Sequence, residues 1–249
     1  MTKRILIDIG NTNTSIAVAV GLKITKKYFI RTAKSEVDAV SLKRLLGKDL
    51  TLAAEIVIVQ VVPKFFTLLS KSLTQAALGV PIKVIGRDIQ VPMDVKYRSP
   101  GEVGQDRLVT SYGGFKIYGA PLIMIDFGTT VTFDCVGDKG SYEGGLIFPG
   151  LRLALEALSA KAALLPRIEL SPARELIGRD TESSINSGVL YGFAGACDGI
   201  VKRLKAEGSG SPQVVATGGD ASLIARYAKN IDKVHSDIIF DALAFLSEM

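Results

Sequence analysis

The sequence predicts an α/β fold of two duplicated lobes, each a mixed β-sheet with flanking helices, and three observations support that prediction. First, the chain repeats its own opening. A shift of 118 residues lays Leu6-Ile7-Asp8-Ile9-Gly10 on Met124-Ile125-Asp126-Phe127-Gly128 and pairs Thr12 with Thr130, Thr14 with Thr132 and Val18 with Val136. Second, 249 residues at 47% apolar content supply either one large core or two smaller ones. Third, β-branched runs alternate with segments of helical period, as in sheets flanked by helices. The lobes are expected at residues 1–118 and 119–249, with Gly119-Ala120-Pro121 marking the boundary.

Residues 4–9 and 16–20 read as strands around a Gly-Asn-Thr turn, and Leu22 to Ile30 extends the antiparallel run. Ser35, with Asp38 three residues on, signals a helix start before Val40, Leu42, Leu45 and Leu46. Ile56 to Val62 is the continuous β-branched run of a strand covered on both faces, and Pro63 opens an amphipathic helix ending near Gly79. Ile82 to Ile85 adds a short strand, and Pro92 leaves Val91 to Tyr97 as loop or edge strand. Ser99-Pro100-Gly101-Glu102 combines the marks of a helix start, placing Asp106 and Arg107 in early turns of a helix that runs to Tyr118. The second copy continues as a meander through Tyr142 to Ile147. Helices follow at about 151–163 and 182–206, a strand at 213–217 and a helix at 220–229.

A net charge of +5 arises from scattered basic residues, and Lys23, Lys26 and Lys27 form only a short cluster, so no nucleic-acid partner is expected. No stretch approaches the roughly 20 apolar residues that span a membrane, and the apolar run after Lys3-Arg4 meets Asp8 too soon for a signal sequence. Cys135 and Cys197 have neither metal-ligand nor disulfide-scaffold spacing and read as buried thiols. A cytoplasmic protein is expected.

The matched turns carry the chemistry. A glycine-containing hairpin corner points backbone N–H groups outward at phosphate oxygens, and threonine hydroxyls add donors without bulk. An aspartate preceding such a turn would repel phosphate directly, so its sensible role is to hold a cation that neutralises the phosphate chain. One such turn is ordinary hairpin chemistry; two matched copies point to phosphate transfer. Val214-Val215-Ala216-Thr217-Gly218-Gly219-Asp220 adds a strand and a tight turn against which a flat adenine could lie, or a plain strand-to-helix connection. The P-loop pattern is missing from the sequence.

Two hairpin turns followed by a late Gly-Gly turn resemble, in order, the phosphate and adenosine motifs of the superfamily of actin, hexokinase and the heat-shock 70 ATPase. Within it the chain resembles the type III pantothenate kinases, nearly end to end. The likeness rests on Asp8-x-Gly10-Asn11-Thr12, Val61-Val62-Pro63, Gly104-Gln105-Asp106-Arg107, Asp126-Phe127-Gly128-Thr129, Gly144-Gly145-Leu146-Ile147-x-Pro149-Gly150 and Thr217-Gly218-Gly219.

That resemblance implies two actin-like (ribonuclease H-like) lobes with ATP in the cleft between them, and ATP-dependent phosphorylation of pantothenate, the first step of coenzyme A biosynthesis. It implies that Asp106 is the catalytic base, and that Tyr97, Gly104, Gln105, Asp106, Arg107 and Thr181 contact pantothenate. It further implies that Asp8, Ile9, Gly10, Asn11, Thr12, Asn13, Thr14, Ser15 and Thr129 hold ATP with Mg²⁺, and that Asp126 binds a monovalent cation, K⁺ or NH₄⁺. Chemistry alone reads Asp106 beside Arg107 as a cap or ion pair, ionised at neutral pH. Arg107 suits a carboxylate through two parallel hydrogen bonds. Gln105 and Thr130 stand where the family commonly has Ala. The family's homodimers make the helix from Ser184 to Ala206, with Gly188, Gly192 and Ala196 at four-residue spacing, a dimer candidate. The lone His235 has no partner pattern and receives no catalytic role. Two other functions fit the same fold: a non-catalytic ATP-binding regulator, against which the retained Asp106 and Arg107 argue, and a kinase for another small acceptor.

Overall fold

Strand β1 (Lys3–Ile9) turns at Gly10 into β2 (Asn13–Val20), which turns at Gly21 into β3 (Lys23–Arg31). In the computed structural model, which describes residues 2–32, 37–208 and 210–249, helix α1 (Ala39–Leu46) follows. The Asp38 carboxylate caps it by accepting the Ser41 N–H at 2.7 Å. The expected cap at Ser35 lies outside the described residues. Next come α2 (Lys48–Thr51), β4 (Glu55–Gln60), α3 (Pro63–Ala76) with proline in its first turn, and β5 (Ile82–Val84).

Helix α4 (Gln105–Tyr118) starts later than expected. Pro100–Glu102 closes one 3₁₀ turn, the Ser99 side chain makes no cap bond, and Val103 is extended with its side chain buried. Burying Val103 pulls the backbone out of helical geometry, so the helix restarts at Gln105 with Asp106 in its first turn.

The rest of the chain comprises β6 (Leu122–Phe127), β7 (Thr130–Val136), β8 (Tyr142–Pro149), α5 (Leu151–Lys161), α6 (Thr181–Glu207), β9 (Gln213–Thr217), α7 (Ala221–Ile224), β10 (Lys233–Val234) and α8 (Ile238–Ser247). Helix α7 is one turn, shorter than the 220–229 expected. Asp180 caps α6 in a reciprocal box with Ser183.

The chain forms two compact units, Met1–Met93 with Arg98–Lys116 and Asp237–Met249, and Asp94–Tyr97 with Ile117–Ser236. Each holds a five-stranded sheet in the same order, β3-β2-β1-β4-β5 and β8-β7-β6-β9-β10. In both, an antiparallel meander is extended by parallel strands. The duplication expected from the sequence is thus present strand for strand.

In the first unit Ile5, Ile7, Ile9, Ile56 and Ile58 pack on α1 and α3. Leu6, Val57 and Val59 face the other way, onto Val109 and Tyr112 of α4 and Phe240 and Leu243 of α8. Burial on both faces is why β1 and β4 read as unbroken apolar runs. Gly113 permits the close approach of α8, since a side chain there would lie 2.7 Å from Ala242 Cβ. In the second unit Ile123, Ile125, Phe127 and Phe133 pack on Leu190, Cys197 and Val201 of α6. Cys197 is buried, and desolvation pushes its thiol up to about 12; Cys135 is only partly buried, contrary to expectation, and both are unbridged. His235, unassigned from sequence, lies 2.8 Å through Nδ1 from the Tyr118 hydroxyl. No helix among the described residues is long and apolar enough to cross a membrane.

Candidate active site

Asp8, next to last in β1, lies opposite Ser15, and Asp126, next to last in β6, lies opposite Thr132. The two hairpins therefore differ by one residue: Ile9 pairs with Thr14, but Phe127 pairs with Val131. The alignment by sequence shift places Thr132 with Thr14, whereas the register gives Thr132 the place of Ser15. Because strand side chains alternate, that single residue moves Thr14 to the opposite face from Asp8. The Thr14 hydroxyl is buried there and meets Thr32 Oγ1 at 3.0 Å, while the Thr32 hydroxyl donates to the Gly10 carbonyl at 2.7 Å. The Thr32 N–H also donates to the Thr12 carbonyl at 3.0 Å. These bonds brace the turn from behind and leave Asn11, Thr12 and Asn13 exposed. Ile9 contributes only main chain, its side chain being fully buried.

The second turn is braced differently. Gly128 N–H donates to the Thr130 carbonyl at 3.1 Å and Gly150 N–H to the Thr129 carbonyl at 3.1 Å. Asp126 pairs in register with Thr217, which brings the Gly218-Gly219 turn alongside it. A side chain at Gly218 would collide with Asp126 Oδ1 and the Phe127 backbone. The Asp220 N–H donates to the Phe127 carbonyl at 3.2 Å, and the buried Asp220 carboxylate meets Arg152 Nη2 at 3.2 Å. Arg152 was not found from the sequence; its signal is the Pro149-Gly150-Leu151-Arg152 stretch that follows the third strand of the repeat. Thr129 and Thr130 are exposed at the tip.

Asp106, Arg107, Gly104 and Gln105 come together at the start of α4. The Arg107 N–H donates to Asp106 Oδ1 at 2.9 Å. A methyl on Gly104 would stand 2.5 Å from the same oxygen, so only glycine leaves the carboxylate room. The extra side chain of Gln105 lies over Gly86, with Cδ 2.8 Å from where a Cβ there would be. Burial pushes the Asp106 carboxyl above the usual carboxylate range, against the pull of the Arg107 N–H and guanidinium. The sequence alone gave no reason to expect that shift. A raised, still accessible carboxylate is better matched to accepting a proton near neutral pH.

Gly104→Ala should therefore lower kcat on the order of 100-fold by displacing Asp106. A thermal melt close to wild type beside that loss, read in the same buffer, separates displacement from unfolding; unaltered kcat contradicts the crowding.

Thr181 is exposed at the first position of α6, and Tyr97 sits in the segment preceding α4, against Tyr142. Among the described residues, no group of three or more His, Cys, Asp or Glu side chains could hold a metal ion by itself. Mg²⁺ typically takes one or two carboxylates and completes its shell from phosphate and water. Asp8, one residue from the end of β1, offers one such carboxylate. The Asp126 carboxylate and the Phe127 carbonyl, both hard oxygens, crowd the place a Cβ on Gly218 would take.

A family model described as type III pantothenate kinase matches residues 4–203. A type III pantothenate kinase from Geobacillus sp. (strain WCH70) is 38% identical over 249 residues, covering 98% of this chain and 96% of that protein. Another, from Geobacter sulfurreducens, is 37% identical over 250 residues, covering 98% of each. Among solved structures, a glucokinase from an Antarctic psychrotroph aligns over 100% of both chains at a TM-score of 0.53 and 10% identity, a likeness of fold that agrees with the expected actin and hexokinase type.

Proposed function

Because the chain belongs to the type III pantothenate kinase family, we propose that it transfers the γ-phosphoryl group of ATP to the hydroxyl of pantothenate, the first step of coenzyme A biosynthesis. The observation that carries the reading is the Asp106 carboxylate, given room by Gly104, held by the Arg107 N–H and raised in pKa by burial.

The hydroxyl oxygen bonds to the γ-phosphorus as the bond from that phosphorus to the β,γ-bridging oxygen breaks, and ADP leaves. Asp106 orients the hydroxyl and takes its proton. Phosphoryl transfer asks for positioning and charge neutralisation more than for a strong base, so a carboxylate suffices. Arg107 holds the pantothenate carboxylate in two parallel hydrogen bonds, and Tyr97, Gly104, Gln105 and Thr181 are the further pantothenate contacts we assign. The exposed turn at Asn11 to Asn13 offers its N–H groups and hydroxyl to the phosphates, and Asp8 takes a share of Mg²⁺. Thr129 adds a phosphate contact, and Asp126 seats K⁺ or NH₄⁺. Bound there, those cations would neutralise charge on the phosphate chain. The protein acts in the cytoplasm, where its ATP is supplied.

A second copy of the chain is the partner we assign to α6. Gly188, Gly192 and Gly195 face open space, beside a cavity of about 400 Å³ lined by Phe148, Leu158, Ile185, Val189 and Phe193. Small residues at this spacing admit a second helix closely. Gly192→Arg should convert the dimer to a monomer by sedimentation velocity; an unchanged mass removes α6 from the interface.

The test of function is ADP release coupled to a spectrophotometric readout, with Mg²⁺ and ATP, comparing pantothenate with sugars and acetate, and potassium with sodium. Pantothenate-dependent release that rises in potassium is expected. None in potassium sinks the proposal, and preference for another acceptor reassigns the kinase.

A further inference from the structure

The second unit contains a buried polar pair that phosphate and cation binding leave unused. Asp134 is 1% exposed and Tyr142 is fully buried, yet neither is apolar core in the ordinary sense. The Tyr142 hydroxyl donates to Asp134 Oδ1 at 2.7 Å, and the Thr132 hydroxyl donates to Asp134 Oδ2 at 2.9 Å. Thr132 and Asp134 share a face of β7, and Tyr142 pairs with Val136 of that strand, so the three polar groups lie on one side of the sheet. Taking a carboxylate and a phenol out of water is costly without hydrogen bonds, and the pair is held in one geometry by those it makes.

The same Tyr142 fixes the segment that carries Tyr97. Its N–H donates to the Asp94 carbonyl at 2.8 Å, and its carbonyl accepts the Lys96 N–H at 2.8 Å. The Tyr97 ring then lies against the Tyr142 ring, centroids 6.4 Å apart at 51°. Its Cδ2–Cε2 edge lies over Gly144, whose φ of +124° suits glycine, and a Cβ there would stand 3.7 Å from Tyr97 Cδ2. The order of support runs from Asp134 to the Tyr142 phenol, from Tyr142 to residues 94–96, and from them to the Tyr97 ring.

We propose that Asp134 and Tyr142 are positioning residues for pantothenate: they fix the Tyr97 ring against the acceptor. This rests on the reading of Tyr97 as a pantothenate contact. An aromatic side chain on an irregular segment gains precision only if its neighbours are locked, and Tyr142 locks both the backbone and the ring of that segment. Neither Asp134 nor Tyr142 is assigned to ATP or to the cations, so their loss should act on one substrate alone.

The experiment is a double-mutant cycle with Tyr142→Phe and Tyr97→Ala, reading KM for pantothenate, KM for ATP and kcat. Tyr142→Phe keeps the ring and the main-chain bonds. It should raise KM for pantothenate about tenfold, the scale of one buried hydrogen bond, with KM for ATP unmoved. The double variant should be no worse than Tyr97→Ala alone, because a ring that is absent cannot be mispositioned. Additive effects, or a pantothenate KM unmoved by Tyr142→Phe while Tyr97→Ala raises it, overturn the positioning alone. Tyr97→Ala with unchanged KM overturns the Tyr97 assignment and the proposal together, and wild-type protein inert toward pantothenate fails the kinase reading itself. Should Tyr142→Phe not fold, Asp134→Asn tests the same support. It keeps an acceptor for the Tyr142 phenol, so a KM shift smaller than that of Tyr97→Ala supports the proposal and no shift opposes it.

Discussion

Asp106→Asn is expected to lower pantothenate-dependent turnover by about 100- to 10,000-fold, the range typical of losing a positioned general base, while making the protein more stable at neutral pH. Both effects follow from one observation, the burial that raises the Asp106 pKa. A carboxyl whose folded-state pKa exceeds its unfolded value, ordinarily about 3.9, binds its proton more tightly when folded. Its contribution to stability is complete below the unfolded pKa and is lost as pH rises through the folded one. Above that point the wild type holds a buried negative charge that asparagine lacks. Asparagine keeps the oxygen that accepts the Arg107 N–H. The difference in thermal midpoint between variant and wild type should be near zero in acid, open as pH rises through the Asp106 pKa and then level off. Wild-type kcat/KM for pantothenate should climb through the same interval, since only the ionised carboxylate takes a proton, and the variant should show no such limb. ATP binding by titration calorimetry should be retained. Turnover at wild-type level removes Asp106 from the chemistry, and a variant less stable at neutral pH contradicts the burial.

Much of this site was legible in the sequence for reasons that can be traced to single residues. Asp8 and Asp126 stood out because the repeat preserved a strand, a turn and a strand around each, and strands announce themselves by alternation or by β-branched runs. What escaped was set by three-dimensional register. The offset that puts Thr132 rather than Thr14 beside the aspartate comes from one extra residue in the first hairpin, invisible to an alignment that scores identity. Helix α8 is apolar nearly all round, so its period names no face, and only its packing on Val109 and Tyr112 shows where it belongs. The start of α4 was misplaced because Ser99 to Glu102 carries every local helix signal, while the burial of Val103, a tertiary effect, overrides them. Arg152 and the Asp134–Tyr142 pair join residues by sheet geometry across stretches of chain that carry no shared motif.

Gly218→Ala is the second substitution expected to have a large effect, and Gly219→Ala, one residue on, is its built-in control. Gly218 has φ of +91°, a conformation that an L side chain adopts only with strain. Its missing Cβ is also the space that Asp126 Oδ1 and the Phe127 main chain occupy. Neither neighbour yields easily: Asp126 is paired in register with Thr217, and the Phe127 carbonyl accepts the Asp220 N–H at 3.2 Å. Relief would require parting β6 from β9 at the turn that carries Asp126 and Thr129. Strain and overpacking together should cost about 2 kcal/mol or more, which for a chain of this size lowers the thermal midpoint by roughly 4 to 8 °C. Because Asp126 must move, potassium activation should fall further than activity in sodium. Gly219, by contrast, meets nothing within 4 Å of a built Cβ, so its alanine variant should melt and respond to potassium as wild type does. Equal behaviour of the two variants would mean that the Gly218 turn does not constrain Asp126, and the cation role given to that carboxylate would lose its structural support.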